Sequence, residues 1–409
     1  MSRIVLGVSG GIAAYKACLL LRRFAEAGHD VVVVPTANAL EFVGRTTWAA
    51  LSGNPVHTDV FTDADQVPHV RLGQQADLVV VAPATADLLA RAATGRADDL
   101  LTNVLLTAHC PVLMAPAMHT EMWRHPATQA NVATLRSRGV AVLDPADGRL
   151  AGADSGPGRL PEPEDIEHVA TAILADPGVA ARMAARDLAG KRVLVSAGGT
   201  REALDPVRYV GNSSSGRMGL ALGSAAAARG AQVTVVTANV GLPLPSGVDA
   251  VSVVSTADLA EAMLSRAGDA DIIVMAAAPA DFTPVSPSDS KIKKAGAAGL
   301  TVEFAQTQDV LRTLAERRTP GQVVVGFAAE TAGDPEELLA LGRAKLARKG
   351  CQLLVLNDVS GGRIFGQAAT EVVIISDDGV LARVAASKAA VAHAILDAAL
   401  TIPTERKPE

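Results

Sequence analysis

The stretches RIVLGVSGGIAAYKA (residues 3–17) and KRVLVSAGGTREALDP (residues 191–206) begin alike, with a basic residue, a β-branched apolar run and a small-residue loop holding paired glycines. Each reads as the first strand of an open α/β sheet, turning where backbone N–H groups can meet a phosphate. Outward from the first, strand-like runs recur at 4–8, 31–35, 77–85, 110–118 and 140–144, with helical stretches between most of them. From the second they recur at 193–199, 232–238, 249–255, 271–278, 323–330, 352–358 and 371–376. Strands that alternate with helices in this way build βαβ units and a parallel sheet. The expected fold class is therefore α/β, with two doubly wound domains: residues 1–177, a connection at 178–190, and residues 191–409.

Composition agrees with that division. At 409 residues the chain is long for one core and suits two. A hydrophobic content of 49% with only 3% aromatics fits Val-rich parallel strands under Ala-rich helices. A net charge of −6 leaves no basic face for nucleic acid. Cys18, Cys110 and Cys351 stand far apart without CxxC spacing, which indicates neither a disulfide framework nor a structural zinc site. The N-terminus lacks a signal-peptide pattern and no apolar run reaches the roughly 18 residues that span a bilayer. A soluble, cytoplasmic protein is expected. Two stretches break the rhythm: residues 146–165, a Gly/Pro-rich linker or flap, and residues 281–300, an excursion with a basic KIKK knot.

Ligands of open α/β sheets gather at the carboxyl ends of strands. In the first half those loops hold Ser9, Gly10, Gly11, Thr36, Thr85 and Asp87, then Met118 and His119. One glycine pair is only a tight turn, whereas four small-residue loops in register point to a planar or phosphorylated ligand. His69 reads either as a surface histidine or as a base near neutral pH. His119 reads either as a polar residue at a helix start or as a ligand contact. In the second half, Asn212, Ser213, Ser214, Ser215 and Gly216 precede an Ala-rich helix, with Arg208 nearby. One serine would suffice for capping; three with an Asn make an anion site at a helix N-terminus. The Walker pattern is absent. Lys291, Lys293 and Lys294 form a basic cluster, and Lys345 and Lys349 share a helix face at i, i+4. Lysine pairs are commonly solvated, but two clusters beside a serine nest suit a triphosphate or several phosphates. Asp281, at a strand end, is a candidate Mg²⁺ ligand alongside phosphate oxygens.

At these residues the chain resembles the bifunctional coenzyme A biosynthesis flavoproteins, which combine phosphopantothenate–cysteine ligase with phosphopantothenoylcysteine decarboxylase. VSGGIAAYK, PHVRL, APAT, ADDLLTN and APAM with EMW match the decarboxylase pattern over about residues 3–175. SAGGTREALDPVRY, SSGRMG, AAAPADF, KIKK, GFAAET and LNDVS match the ligase pattern over about 190–400. The resemblance implies two Rossmann-like domains, an N-terminal flavoprotein fold and a C-terminal ligase. It implies noncovalent FMN at a subunit interface, held by Ser9, Gly10, Gly11, Thr36, Thr85 and Asp87. The flavin would oxidise the cysteinyl CH₂–SH so that the neighbouring carboxylate leaves as CO₂, then return a hydride. His69 falls on the family's essential histidine, and Met118, His119 and Asp154 on its substrate contacts. In the ligase, the carboxylate of 4'-phosphopantothenate would attack the α-phosphate of CTP, and the amine of cysteine would displace CMP from the acyl-cytidylate. Asn212 and Arg208 match residues that handle the acyl-cytidylate. Gly198, Gly199, Ser214, Ser215, Gly216, Ala278, Asp281, Lys291, Phe327, Lys345 and Lys349 are the implied CTP contacts, with Mg²⁺ at Asp281. Trimers of the first domain and dimers of the second would assemble a dodecamer, without nucleic acid or membrane.

Three positions depart from the family pattern. His119 replaces an Asn, Asp87 replaces another, and Gly152 stands where a flap cysteine supplies a proton. The expectation is that decarboxylation proceeds through His69, with His119 taking over the amide's contact and Asp154 or solvent replacing the thiol. A flavin-binding regulatory subunit is the competing reading, opposed by His69 and by the complete ligase motifs. A nicotinamide-dependent oxidoreductase fails because no GxGxxG follows either first strand.

Overall fold

The computed structural model describes residues 1–61, 67–150, 152, 154–293, 299–358 and 369–403. Lys294, Ala151 and Ala153 of the flap, and Val359 and Ser360 of LNDVS lie outside the described residues. The chain divides into two compact units, Met1–Leu188 with Ala228–Gly230, and Ala189–Ala227 with Ala231–Glu409.

In the first unit, β1 (Arg3–Val8), β2 (Asp30–Pro35), β3 (Leu78–Ala84), β4 (Val112–Pro116) and β5 (Ala141–Val142) form one parallel sheet in the order β2-β1-β3-β4-β5. Ile4, Val5, Leu6 and residues 78–81 are buried without alternation, as strands covered on both faces must be. The helix Ala14–Glu26 buries Ala14, Ala17, Leu20, Leu21 and Phe24, a stripe with helical spacing. Lys16 bonds Glu162 at 2.9 Å, and Arg23 reaches Glu164 and Glu167, fastening this helix to Pro163–Ala175. Residues 178–190, expected as a connection, carry the helix Gly178–Ala185 with Val179, Ala180 and Met183 buried. The Gly/Pro-rich stretch folds back on itself through bridges Ala146 to Arg159 and Arg149 to Ser155.

The second unit contains β6 (Arg192–Gly198), β7 (Arg201–Ala203), β8 (Tyr209–Gly211), β9 (Gln232–Ala238), β10 (Asp249–Val253), β11 (Ile272–Met275), β12 (Phe282–Pro284), β13 (Phe304–Gln306), β14 (Val323–Glu330), β15 (Leu353–Asp358), β16 (Ala369–Ser376) and β17 (Gly379–Ser387). Eight of them form a sheet ordered β10-β9-β6-β11-β14-β15-β16-β17. The first six run parallel and the last two antiparallel. The pairs β7/β8 and β12/β13 are small separate ribbons. Strand β17 was not among the expected strands, because its residues are mostly exposed or half-buried and carry no continuous apolar run. Both large sheets reverse strand order once, beside β1 and beside β6, and each reversal opens a crevice at the carboxyl ends.

Leu101 is 1% exposed, and its side chain fills the space a Cβ on Gly7 of β1 would take. Leu101→Ala is expected to destabilise the first unit by about 2–5 kcal/mol. Urea unfolding should show its transition moving to lower denaturant while the transition of the second unit stays in place.

Candidate active sites

Strands β6 and β11 are neighbours whose chains leave the sheet in different directions, and the loop after β11 is fixed by side-chain hydroxyls. Ser196 Oγ accepts the Ala277 N–H at 3.0 Å and Thr200 Oγ1 accepts the Ala280 N–H at 2.7 Å. Thr307 and Thr256 both donate to the Ala280 carbonyl, at 2.6 and 3.3 Å. The Ala278 N–H donates to the Gly198 carbonyl at 2.8 Å. Gly198 has φ +90°, and a Cβ there would lie 2.1 Å from the Ala238 carbonyl oxygen. Gly216, at φ +77°, would strike Val240 in the same way, so no larger residue fits either turn.

These loops surround a cavity of about 970 Å³. Of the residues expected from the sequence, Asn212, Ser214, Ser215, Gly216, Ala278, Asp281, Phe327, Lys345 and Lys349 all line it. Gly198 and Gly199 lie behind the wall as turn residues, Gly199 bridging Ala278. Arg208 and Lys291 are not in the lining. Arg208 instead holds Asp205 at 2.6 Å, and Lys291 is exposed. Asn212 donates from Nδ2 to the Pro279 carbonyl at 2.8 Å, joining the serine loop to the β11 loop.

Two lysines of the cavity have carboxylate partners. Lys345 bonds Glu330 at 2.8 Å and Lys349 bonds Asp309 at 2.5 Å. Burial pushes the Asp309 carboxyl up, but the Lys349 hydrogen bond and the Arg312 N–H outweigh it and hold the group below its ordinary value. Sequence reading missed Gln308, Asp309, Arg348, Asn357 and Lys388, which also line the cavity. Asp309 caps the helix Val310–Glu316, a pattern that reads only as structure, and Lys388 opens the helix Lys388–Thr401 far along the chain. Burial, then the charge of Arg217, pushes the Lys388 ammonium down. Among the described residues no group of three or more His, Cys, Asp or Glu could hold a metal ion, so any ion here must take most ligands from elsewhere.

In the first unit the loops after β1, β2 and β3 converge. Ser9 Oγ donates to the Pro83 carbonyl at 2.7 Å and accepts the Thr85 N–H at 2.9 Å. A Cβ on Gly10 would lie 2.3 Å from Asn38 Cβ, and one on Gly11 would touch Thr85. Thr36 and Thr85 cap their helices through Ala39 and Leu88. The helix Ala14–Glu26 has no side-chain cap, and the N–H groups of Gly10 and Gly11 have no acceptor among the described residues. Asp87 is paired with Arg91 at 3.0 Å and is largely exposed.

His69 lies in the first turn of the helix Pro68–Gln75, its carbonyl accepting from Thr107 Oγ1 at 2.8 Å. Its Nδ1 is buried and has no hydrogen-bond partner among the described residues. His119 Nδ1 lies 3.0 Å from Asp154 Oδ2, and the Met118 N–H donates to the Gly158 carbonyl at 2.9 Å. The folded-back stretch therefore rests on the loop after β4. Gly152 is exposed, and a Cβ there would meet Asp154 Oδ1 at 2.6 Å. Burial pushes the Cys351 thiol up to about 11, which keeps it an unreactive core residue.

Comparison with known proteins follows the same division. A family model described as Flavoprotein matches residues 1–174, and one described as DNA/pantothenate metabolism flavoprotein C-terminal domain matches residues 188–402. The coenzyme A biosynthesis bifunctional protein CoaBC of Mycolicibacterium smegmatis is 56% identical over 383 residues, 92% of each chain. That of Mycobacterium tuberculosis is 54% identical over 406 residues, 98% of this chain and 96% of its own. A crystal structure of the C-terminal domain of a CoaBC protein is 32% identical, covers 52% of this chain and 95% of that one, and has a TM-score of 0.43. On its sequence, from the flavoprotein segment through the C-terminal segment, the chain belongs to the family of coenzyme A biosynthesis bifunctional proteins.

Proposed function

We propose that the protein carries out two successive steps of coenzyme A biosynthesis. The segment 191–409 joins cysteine to 4'-phosphopantothenate using CTP, and the segment 1–177 removes CO₂ from the product using FMN. The observation that carries this reading is the cavity at the β6/β11 reversal, which gathers nine of the implied CTP and acyl-cytidylate contacts from distant parts of the chain.

A carboxylate is a poor acyl donor, so its attack on the α-phosphate of CTP must precede amide formation. Ser214, Ser215 and the N-terminus of the helix Arg217–Ala228 supply donors for phosphate oxygens. Lys345 and Lys349 neutralise the departing pyrophosphate, exchanging Glu330 and Asp309 for phosphate as they do so. Mg²⁺ accompanies CTP. A single carboxylate, Asp281, suits an ion that takes its other ligands from phosphate and water. Asn212 and Arg208 then hold the acyl-cytidylate for the amine of cysteine.

The first unit suits FMN because the N–H groups of Gly10 and Gly11, without acceptors among the described residues, and the uncapped helix start call for an anion, and Ser9 and Thr85 fix the loops around them. When bound, FMN supplies the electron sink that lets the carboxylate leave. His69, with a buried ring nitrogen that lacks a partner among the described residues, handles the substrate carboxylate or its proton. Asp154 orients His119, which contacts the substrate together with Met118. Ile12, Tyr15 and Leu19 are 63%, 57% and 50% exposed on and just before the helix Ala14–Glu26. Such an apolar strip supports a flavin site completed by a neighbouring subunit, and with it the trimer-based dodecamer whose ligase domains pair. Among the described residues no helix is long and apolar enough to cross a membrane, and the cytoplasm is the proposed location.

With 4'-phosphopantothenate, cysteine, CTP and Mg²⁺, the purified protein should release CMP and form the cysteine amide, then release CO₂, followed together by chromatography and product mass. CTP hydrolysed without amide formation would oppose this. Replacing Lys345 and Lys349 together with Ala should lower kcat/KM for CTP by about 10²-fold or more, measured as CMP release. His69→Ala should stay yellow with bound FMN and still release CMP, but lose CO₂ release. Undiminished decarboxylation would remove His69 from the mechanism.

A further inference from the structure

Asp205 lies between β7 and β8, outside the cavity lining, and its side chain has no exposed surface. Oδ1 accepts the N–H groups of Val207 and Arg208, both at 2.8 Å. Those two bonds are all that a turn of this kind requires. Oδ2 accepts three more, from Arg208 Nε at 2.9 Å, Arg208 Nη2 at 2.6 Å and the Ile292 N–H at 3.1 Å. Arg208 Nη2 also donates to the Ile292 carbonyl at 2.6 Å. The Ser288 N–H donates to the Leu204 carbonyl at 2.9 Å. Both backbone polar groups of Ile292, the residue after Lys291, are therefore gripped from the β7/β8 turn, and a second anchor sits four residues earlier. Burial pushes the Asp205 carboxyl up, but the Val207 N–H, the Arg208 guanidinium and the Ile292 N–H together hold it well below the usual carboxylate range. It stays charged at neutral pH, as a fully paired buried carboxylate can. Arg208 is 42% exposed on its side chain, and its Nη1 has no partner among the described residues.

We infer that Asp205 is a positioning residue for ligation: through Arg208 and Ile292 it latches the Lys291 segment to the β7/β8 turn, leaving one edge of the Arg208 guanidinium open for substrate. The inference rests on the reading of Lys291 and Arg208 as CTP and acyl-cytidylate contacts. It explains why neither of them lines the cavity although both belong to the ligase motifs. They are held as a unit beside it, by a carboxylate that itself touches no substrate. Arg208 has its own bond to the Ile292 carbonyl, whereas among the described residues the Ile292 N–H is held by Asp205 alone, so losing this group should affect nucleotide capture through the Lys291 segment more than the later handling of the acyl-cytidylate by Arg208.

The test uses the full-length protein and three variants, with two readouts: tryptic cleavage after Lys291 or Lys293, and KM and kcat for CTP followed by CMP release. Asp205→Asn keeps the shape but removes the charge. It should raise both the cleavage rate and KM for CTP by about tenfold, with kcat within about twofold of wild type. If Asp205→Asn shows no cooperative melting, Ile292→Pro, which takes away the N–H that Asp205 accepts, decides by KM for CTP and by cleavage after Lys293, since trypsin does not cut before proline. Unchanged cleavage and KM in the folded variant overturn the latch. Lys291→Ala separates the two layers. A raised KM in Lys291→Ala with none in Asp205→Asn contradicts the latch alone. An unchanged KM in Lys291→Ala contradicts the underlying reading of Lys291, and the positioning role with it.

Discussion

The second unit depends on the pinning of one loop. Where β6 and β11 part, the backbone must leave the sheet with its polar groups satisfied and yet keep a space open beside it. Ser196, Thr200, Thr256 and Thr307 do this with hydroxyls bonded to Ala277 and Ala280, so that residues 276–281 keep their shape without filling the crevice. The hydroxyls come from three segments, Ser196 and Thr200 from β6 and the turn after it and Thr256 and Thr307 from two others, and the cavity wall is consequently a product of distant parts of the unit. Removing Ser196 or Thr200 would leave the Ala277 or the Ala280 N–H unpaired, at a cost of about 1–3 kcal/mol, whereas the Ala280 carbonyl has two donors and would keep one.

Charge follows from this geometry. A rigid cavity lined by lysines would be repulsive without anions, and Glu330 and Asp309 supply internal counterions. They keep Lys345 and Lys349 extended toward the space that phosphate would take. The i, i+4 spacing on the helix Pro335–Lys349 sets both ammonium groups on one side, and Gly350, at φ +70°, ends the helix just after them. Asp205 does the same for the Lys291 segment, with a buried carboxylate in place of a half-exposed one. In each case an acidic group prepares a basic one.

The sequence showed the two sheets plainly because parallel strands covered on both faces must be continuously apolar, as in IVLGV and DIIVMAAA. It concealed β17, an edge strand whose mostly exposed or half-buried residues gave no such run. The helix Gly178–Ala185 read as a connection because Asp176 and Pro177 precede it and Gly178 opens it, while its apolar stripe is only two turns long. Nine cavity residues were named from the sequence: the serine loop, Asp281 and the paired lysines because their residue types carry chemistry, and Ala278 and Phe327 only through the family resemblance. Arg348 and Lys388 were not, and Asn357 stood only inside LNDVS without a role of its own, because only the folded sheet brings three separate segments to one wall. The placement of Arg208 outside the lining was equally hidden, because it depends on contacts with residues more than eighty positions away.

The proposal of the cavity beside β6 and β11 as the CTP site of a ligase is best checked by a crystal structure of the full chain with CTP and Mg²⁺. The triphosphate should lie between residues 214–216 and the Lys345/Lys349 pair, with both lysines withdrawn from Glu330 and Asp309. A nucleotide bound elsewhere, with those two ion pairs intact, would contradict it.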